Sequence, residues 1–268
     1  DVTSLYEILT SSKENWGFCH LCTGQEAIPV GMEHAITRDD VIITAYRCHG
    51  YTLMRGTTVH QVLAELMGRS TGITYGKGGF MHMFAKSFYG GNGIVLVGAG
   101  TQKYLGVKNA TFIIYGDGAA NQGQVFEAFN MAKLWDLPAI FVCENNLYVW
   151  ELLPQGVLQM RNIILRVNKW YGCISSKASM RVGKRLEFVT YRYGDHSMSD
   201  PDPGTTYRTR EEIQHMRSTN DPITGLRLKI LECGGNRSKD ARAIVDEAVE
   251  KAKNDPLPKD SELWTDIY

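Results

Sequence analysis

The stretch Thr111-Phe112-Ile113-Ile114-Tyr115-Gly116-Asp117-Gly118-Ala119-Ala120-Asn121 decides the fold. A short, continuous apolar run halted by Gly-Asp-Gly is the pattern of a strand buried on both faces that runs into a turn. Residues 122–135 then carry Val125, Phe126, Phe129, Ala132 and Leu134 at helical spacing, which predicts a helix with these side chains on or near one face. After Pro138, Ala139-Ile140-Phe141-Val142-Cys143 reads as a second buried strand. Strand, helix and strand in succession make the βαβ unit of a parallel α/β sheet, in which ligands sit at the carboxyl ends of the strands.

Asn145-Asn146 closes the second strand. The turn after the first strand and the turn after the second lie on the same sheet edge, so Asp117 and Asn146 converge there. One carboxylate and one amide oxygen suit a hard cation. Mg²⁺ takes one or two protein oxygens and fills its octahedron with water and substrate phosphate, which points to a metal-bridged diphosphate. Gly116 and Gly118 beside the Asp, with a helix start near residue 122, are expected to add main-chain donors for the phosphates. Gly-Asp-Gly alone reads equally as an Asx-rich turn capping a helix; the spaced Asn-Asn favours the cation.

Outward from this unit, Val59, Val62, Leu63, Leu66 and Met67 predict an amphipathic helix over 57–69 that ends at Gly68. A Gly-dense stretch from Gly72 to Gly100 predicts functional loops that allow close backbone approach. Residues 149–187 show no clean period and receive no firm structure. Leu186 to Tyr193 reads as a third strand that leads into a turn-rich run, residues 194–204, expected to be a mobile surface loop. Thr209-Arg210-Glu211-Glu212 reads as a helix start with a capping acid near its third position, and residues 239–253 as a charged helix. The chain is expected to form one domain over 1–268 with a helical C-terminal tail.

Composition narrows the classes. The 268 residues balance 29 Lys+Arg against 29 Asp+Glu, which excludes nucleic-acid binding driven by bulk charge, and 43% hydrophobic residues suffice for a sizeable core. No apolar run approaches the ~20 residues that span a bilayer, so no membrane helix is expected. The first residues, Asp1-Val2-Thr3-Ser4, lack the marks of a signal or transit peptide, and any targeting segment is expected to have gone already. Six scattered cysteines, Cys19, Cys22, Cys48, Cys143, Cys173 and Cys233, suit a reducing compartment. Other motifs fail on detail. Cys19-x-x-Cys22 has no second pair for zinc, Gly72 to Lys77 is one residue short of a P-loop, and Asn121 stands where a dinucleotide fingerprint needs its third Gly.

Gly-Asp-Gly followed some thirty positions later by Asn-Asn resembles the metal and diphosphate motif of thiamine diphosphate enzymes. More narrowly, several stretches resemble the alpha subunits of mitochondrial pyruvate dehydrogenases. They are Gly17 to Leu21 with Gly24-Gln25-Glu26-Ala27, Ile43 to Gly50, Tyr75 to Gly79 with Met81-His82-Met83, Phe88 to Gly93, Tyr115 to Gln124, and Thr190 to Tyr193 with His196 to Pro201. The resemblance implies a parallel-sheet thiamine diphosphate-binding α/β fold with helices on both faces. It further implies Mg²⁺ on Asp117, Asn146 and the carbonyl of Tyr148, cofactor contacts from Tyr46, Arg47, Gly116, Gly118, Ala119 and His196, and active-site roles for His49 and His196, with histidines titrating near neutrality suited to the proton movements. Arg192 would help order the loop that carries His196. Ser197 matches a phosphorylation site and Thr206 a second one.

The implied activity is decarboxylation of pyruvate with reductive acetylation of the lipoyl domain of dihydrolipoyl acetyltransferase. It would take place in the mitochondrial matrix, within an α2β2 assembly with a beta subunit and under a regulatory kinase and phosphatase; the chain alone is expected to be inactive. No nucleic-acid or membrane partner is expected. A branched-chain 2-oxo acid dehydrogenase alpha subunit and a catalytically dead partner-binding relative are the alternatives. The second is suggested by the run Gly90 to Gly100, shorter than the family's, and by the departure of residues 149–187 from its pattern.

Overall fold

A computed structural model of the chain describes residues 20–91, 109–148, 184–194, 196–197, 208–233 and 241–265. In chain order the elements are α1 (Ala27–Ala35), β1 (Val41–Ile43), α2 (His49–Met54), α3 (Val59–Leu66), β2 (Phe84–Ala85), β3 (Phe88–Tyr89) and β4 (Thr111–Gly116). There follow a 3₁₀ turn (Ala119–Asn121), α4 (Gly123–Leu134), β5 (Ala139–Asn145), β6 (Lys184–Val189), α5 (Arg210–Asn220), α6 (Pro222–Glu232), α7 (Ala241–Asn254) and a second 3₁₀ turn (Asp260–Trp264).

The strands form one sheet in the order β2-β3-β1-β4-β5-β6, parallel throughout except for the short β2–β3 pair. β4 and β5 pair from Thr111↔Ala139 to Gly116↔Glu144, and β5 and β6 from Ile140↔Lys184 to Asn145↔Val189. Alternation along each strand feeds two cores. Ile113, Tyr115, Phe141 and Cys143 pack with Val125, Ala128, Phe129 and Ala132 of α4 on one face. Ile42, Ile114 and Val142 face the other way, against side chains of α1, α2, α3 and α7. Both faces are therefore covered by helices, as a parallel sheet requires.

Local signals set several boundaries. Thr58 and Gln61 form a capping box at the start of α3, and Gly68, at φ +64°, follows its end. Three expectations need correction. Leu134 is 73% exposed rather than on the buried face, because Ala128 and Ala132 carry that face together with Val125 and Phe129. The third strand runs over Lys184–Val189 instead of Leu186 to Tyr193, since Tyr191 and Tyr193 leave the sheet to pack with Tyr148, Ile213 and Met216. Thr209 does cap α5 by accepting from the Glu212 N–H, but the Glu212 carboxylate accepts from the hydroxyls of Tyr148 and Tyr191. The expectations for 149–183, and for most of the 194–204 loop, lie outside the described residues. No described helix is long and apolar enough to cross a membrane. Cys22, Cys48, Cys143 and Cys233 carry thiols rather than disulfides.

The topology places the site. From β1 the chain passes through α2 and α3 to β3 on one side of β1, whereas β4 lies on its other side and leads through α4, on the opposite face, to β5. Connections that diverge in this way open a crevice beyond the carboxyl ends of β1 and β4, the switch point at which such sheets bind ligands.

Candidate functional site

That crevice is occupied by the residues the sequence singles out. Thr44 to Arg47 after β1, Gly116 to Ala119 at the end of β4, and Glu144, Asn146 and Tyr148 at the end of β5 line one cleft, closed by Gln25, Tyr51 and His196. Its volume is about 90 Å³. That is less than the roughly 300 Å³ or more of a site that encloses a whole cofactor-sized ligand.

Asp117 is 3% exposed, and among the described residues its Oδ2 is buried with no hydrogen-bond partner. Burial pushes its carboxyl up to about 6, opposed by main-chain N–H groups and by the charges of Arg192 and Arg47. A buried anionic oxygen left without a donor is costly unless a cation meets it. Asn146 stands opposite, its Oδ1 accepting from the Tyr148 N–H at 3.2 Å and its Nδ2 donating to Gln25 Oε1 at 3.4 Å. Among the described residues no group of three or more His, Cys, Asp or Glu side chains could hold a metal. A carboxylate and a side-chain amide lining one cleft are oxygen donors of the kind that suits Mg²⁺ shared with phosphate and not zinc.

In the same cleft Arg47 is buried, donating through Nη1 to Leu21 O at 2.7 Å and through Nη2 to His196 O at 2.8 Å, with its guanidinium over the Tyr46 ring. His20 donates through Nδ1 to the same His196 carbonyl at 2.8 Å. The rings of His20, Tyr46 and His196 lie within 4.4 to 5.8 Å of one another, centroid to centroid. Below them Tyr51 donates its hydroxyl to Glu144 Oε1 at 2.6 Å, and burial pushes the Glu144 carboxyl up to about 7. A cleft with a cation-seeking carboxylate on one wall and a cationic fork beside an imidazole on the other can hold a metal-bound anion.

The sequence pattern of the dehydrogenase E1 component family matches residues 2–151 and 184–261 of the chain. The chain belongs to the dehydrogenase E1 component family. Among its E1 relatives, the chain is 52% identical to the mitochondrial pyruvate dehydrogenase E1 component subunit alpha of Chaetomium thermophilum, over 97% of this chain and 71% of the relative. To that of Saccharomyces cerevisiae it is 48% identical, over 98% and 70%, and to the probable one of Caenorhabditis elegans 47%, over 97% and 73%. The E1 pattern passes over residues 152–183, within the stretch whose sequence departs from the family.

In this E1 chain the expected site residues separate into two groups. Tyr46, Arg47, Gly116, Asp117, Gly118, Ala119, Asn146, Tyr148 and His196 line the cleft together. His49 and Arg192 do not. His49 is buried, donates through Nε2 to Phe80 O at 2.8 Å, and is held down at about 4 by burial, so it is neutral at pH 7 rather than titrating near neutrality. Arg192 is 1% exposed and donates to Gly194 O at 2.8 Å, at the start of the loop that carries His196. Ser197 is buried instead of lying on a solvated loop, and Thr206 lies outside the described residues.

The expected phosphate donors at the start of α4 are absent from the cleft lining. The 3₁₀ turn Ala119–Asn121 intervenes, and Gln122, Gly123 and Gln124 are exposed. Cys22, from the Cys-x-x-Cys run, is buried with its thiol pushed up to about 12, which makes it inert. Sequence reasoning missed His20, Gln25, Tyr51 and Glu144. A detectable signal existed for Glu144, an ionisable residue ending an apolar strand directly before Asn145-Asn146.

Proposed function

We propose that this chain is the alpha subunit of a thiamine diphosphate-dependent pyruvate dehydrogenase of the mitochondrial matrix, working with a beta subunit in an α2β2 assembly. The observation that carries the reading is the buried, unbonded Oδ2 of Asp117 at the switch point, in a cleft that Asn146, Tyr148 and Arg47 also line. The names borne by the relatives support pyruvate over a branched-chain 2-oxo acid. Asp117, Asn146, Arg47 and His196 are all present in the cleft, which argues against a catalytically dead relative.

Asp117, Asn146 and the Tyr148 carbonyl would hold Mg²⁺, and the Arg47 fork with the N–H groups near Gly118 would take diphosphate oxygens. Thiamine diphosphate, when bound, supplies the carbanion chemistry of decarboxylation, and the two-carbon unit passes to the lipoyl domain of dihydrolipoyl acetyltransferase. The chain's own residues bind and orient. Asp117 would neutralise metal charge, Arg47 would fix the phosphate end while holding the main chain at His196, and the imidazole of His196, which lines the cleft, would move a proton there.

Ser197, with Thr206, is the proposed target of the kinase and phosphatase. A phosphate brings ~1.5 to 2 negative charges and cannot remain where Ser197 is buried, so modification would displace the loop from the cleft. In an assembled complex, Ser197→Glu should therefore lose activity.

The decisive experiment is calorimetric titration of thiamine diphosphate with Mg²⁺ into the chain assembled with a family beta subunit. Metal-dependent binding that Asp117→Ala abolishes, followed by pyruvate decarboxylation, is the expected result. Assembly without cofactor binding would overturn the proposal.

A further inference from the structure

Glu65, on α3, is fully buried and belongs to no wall of the cleft. Its carboxylate accepts three main-chain N–H groups, Oε2 from Thr74 at 2.8 Å and Gly76 at 2.9 Å, and Oε1 from Gly78 at 2.7 Å. Convergent main-chain N–H groups of this kind form an anion-binding nest, and here the anion is the protein's own. The run resembling a shortened P-loop, Gly72 to Lys77, is curled around this carboxylate. A Cβ on Gly72 would stand 2.7 Å from the Glu65 N and Cα atoms, and Gly76 sits at φ +74°, where its Cβ would stand 2.7 Å from the Gly68 carbonyl carbon. These two glycines let the loop close on the acid.

The loop continues directly into the backing of the cleft. His49 donates to Phe80 O at 2.8 Å, the Cys48 thiol to Met81 O at 3.0 Å, and the Gly91 N–H to Ala45 O at 3.3 Å. A Cβ on Gly90 would stand 3.0 Å from Cys48 Sγ, so the two segments are in close contact. Residues 80–91 thus hold the segment Ala45 to His49 from behind, and Tyr46 and Arg47 project from that segment into the cleft.

We propose that Glu65 is a positioning residue for the cofactor cleft: by organising the 74–78 main chain it sets the Phe80 and Met81 carbonyls, which in turn fix the segment bearing Tyr46 and Arg47. This deepens the function proposed above and rests on it. Loss of a carboxylate that merely stabilised the fold would lower the melting temperature without changing cofactor affinity in the assembled enzyme. Loss of one that positions the cleft changes affinity for the cofactor while leaving the chemistry available once the cofactor is bound.

The test uses the chain assembled with its beta subunit, as wild type, Glu65→Gln and Glu65→Ala, with thiamine diphosphate and Mg²⁺ titrated by calorimetry and in steady-state assays. Replacing a charged acceptor of three N–H groups should raise Kd and KM for thiamine diphosphate roughly tenfold or more, with kcat at saturating cofactor within about twofold of wild type. Acetate should restore affinity to Glu65→Ala by refilling the nest. It should do nothing for Asp117→Ala. Wild-type affinity in Glu65→Gln, or an affinity loss in Glu65→Ala that acetate leaves unchanged, would overturn the inference alone. Failure of the wild-type complex to bind the cofactor would overturn the proposed function as well. Should neither variant assemble, hydrogen exchange in the wild type decides. The amides of Thr74, Gly76 and Gly78 should gain protection when the cofactor binds, and no change there would count against the role.

Discussion

Arg47 and His196, 149 positions apart in the chain, meet through a 2.8 Å hydrogen bond from the Arg47 guanidinium to the His196 main-chain carbonyl. One buried cation thereby joins the cleft wall after β1 to the loop after β6, while its other nitrogen holds Leu21 O at 2.7 Å. The side chain that lines the cleft therefore also holds the main chain at His196, and under the proposed function cofactor binding and the placement of His196 should be coupled.

Arg47→Lys keeps the charge and loses the fork, so it cannot hold both carbonyls. The expected loss is ~1.5–3 kcal/mol, seen as a cofactor affinity lowered by roughly tenfold or more. Proteolysis within 194–208 should accelerate in parallel. Calorimetry and timed digestion of the assembled enzyme check both; weakened binding with an unaltered loop would refute the coupling.

Asp117 is costly to the fold without a cation beside it. Holding a buried carboxyl ionised at pH 7 when burial has pushed it up to about 6 costs the cofactor-free fold ~2–3 kcal/mol. Asp117→Asn should therefore raise the melting temperature of the cofactor-free assembly while abolishing Mg²⁺-dependent binding, a trade of stability against function. A variant that melts lower without cofactor would contradict this account.

His49 carries a pH signature. Its folded value of about 4 lies below the ordinary 6.5, so between these values the unfolded chain binds the extra proton and stability falls as pH falls. The contribution is complete above pH 6.5 and amounts to ~3 kcal/mol lost by pH 4. His49→Gln, which keeps a donor for Phe80 O, should flatten that limb relative to wild type in urea unfolding measured from pH 7 to pH 4. Parallel curves would exclude His49 as the source.

α5 has no buried residue, and it is tied to the rest of the structure by Glu212, which accepts from Tyr148 and Tyr191. Glu212→Ala leaves two tyrosine hydroxyls without their acceptor and should cost ~1–3 kcal/mol. Hydrogen exchange over 210–220 should rise selectively. Tyr148→Phe alone should cost less, because Tyr191 still reaches the carboxylate at 2.8 Å; equal losses from the two variants would argue against a shared acceptor.

The β4–α4–β5 unit was legible because its signals are local. A buried strand reads as an apolar run, a helix as apolar residues at three and four, and a turn as Gly-Asp-Gly. Asp117 and Asn146 could be brought together without coordinates, since parallel strands joined by one helix must end on the same edge. The boundary errors have equally physical origins. Tyr191 and Tyr193 look like strand residues by type, and what removes them from the sheet is packing with Tyr148 and α5, contacts no local window contains. Leu134 matches the apolar period, and its exposure is set by where α4 crosses the sheet.

The sequence by itself determined a parallel α/β sheet, a carboxylate and an amide at adjacent strand ends, and membership in a family, because short-range periodicity and motif spacing suffice for those. Only the tertiary structure decided which groups share the cleft and which stand behind it. It put Arg47 on the His196 carbonyl, Tyr51 on Glu144, and the amides of Thr74, Gly76 and Gly78 on Glu65, and it moved His49 out of the cleft into a neutral buried position. The physical reason is that burial and hydrogen-bond partners are properties of three-dimensional neighbours, and those neighbours are set by how the helices and loops pack on the sheet.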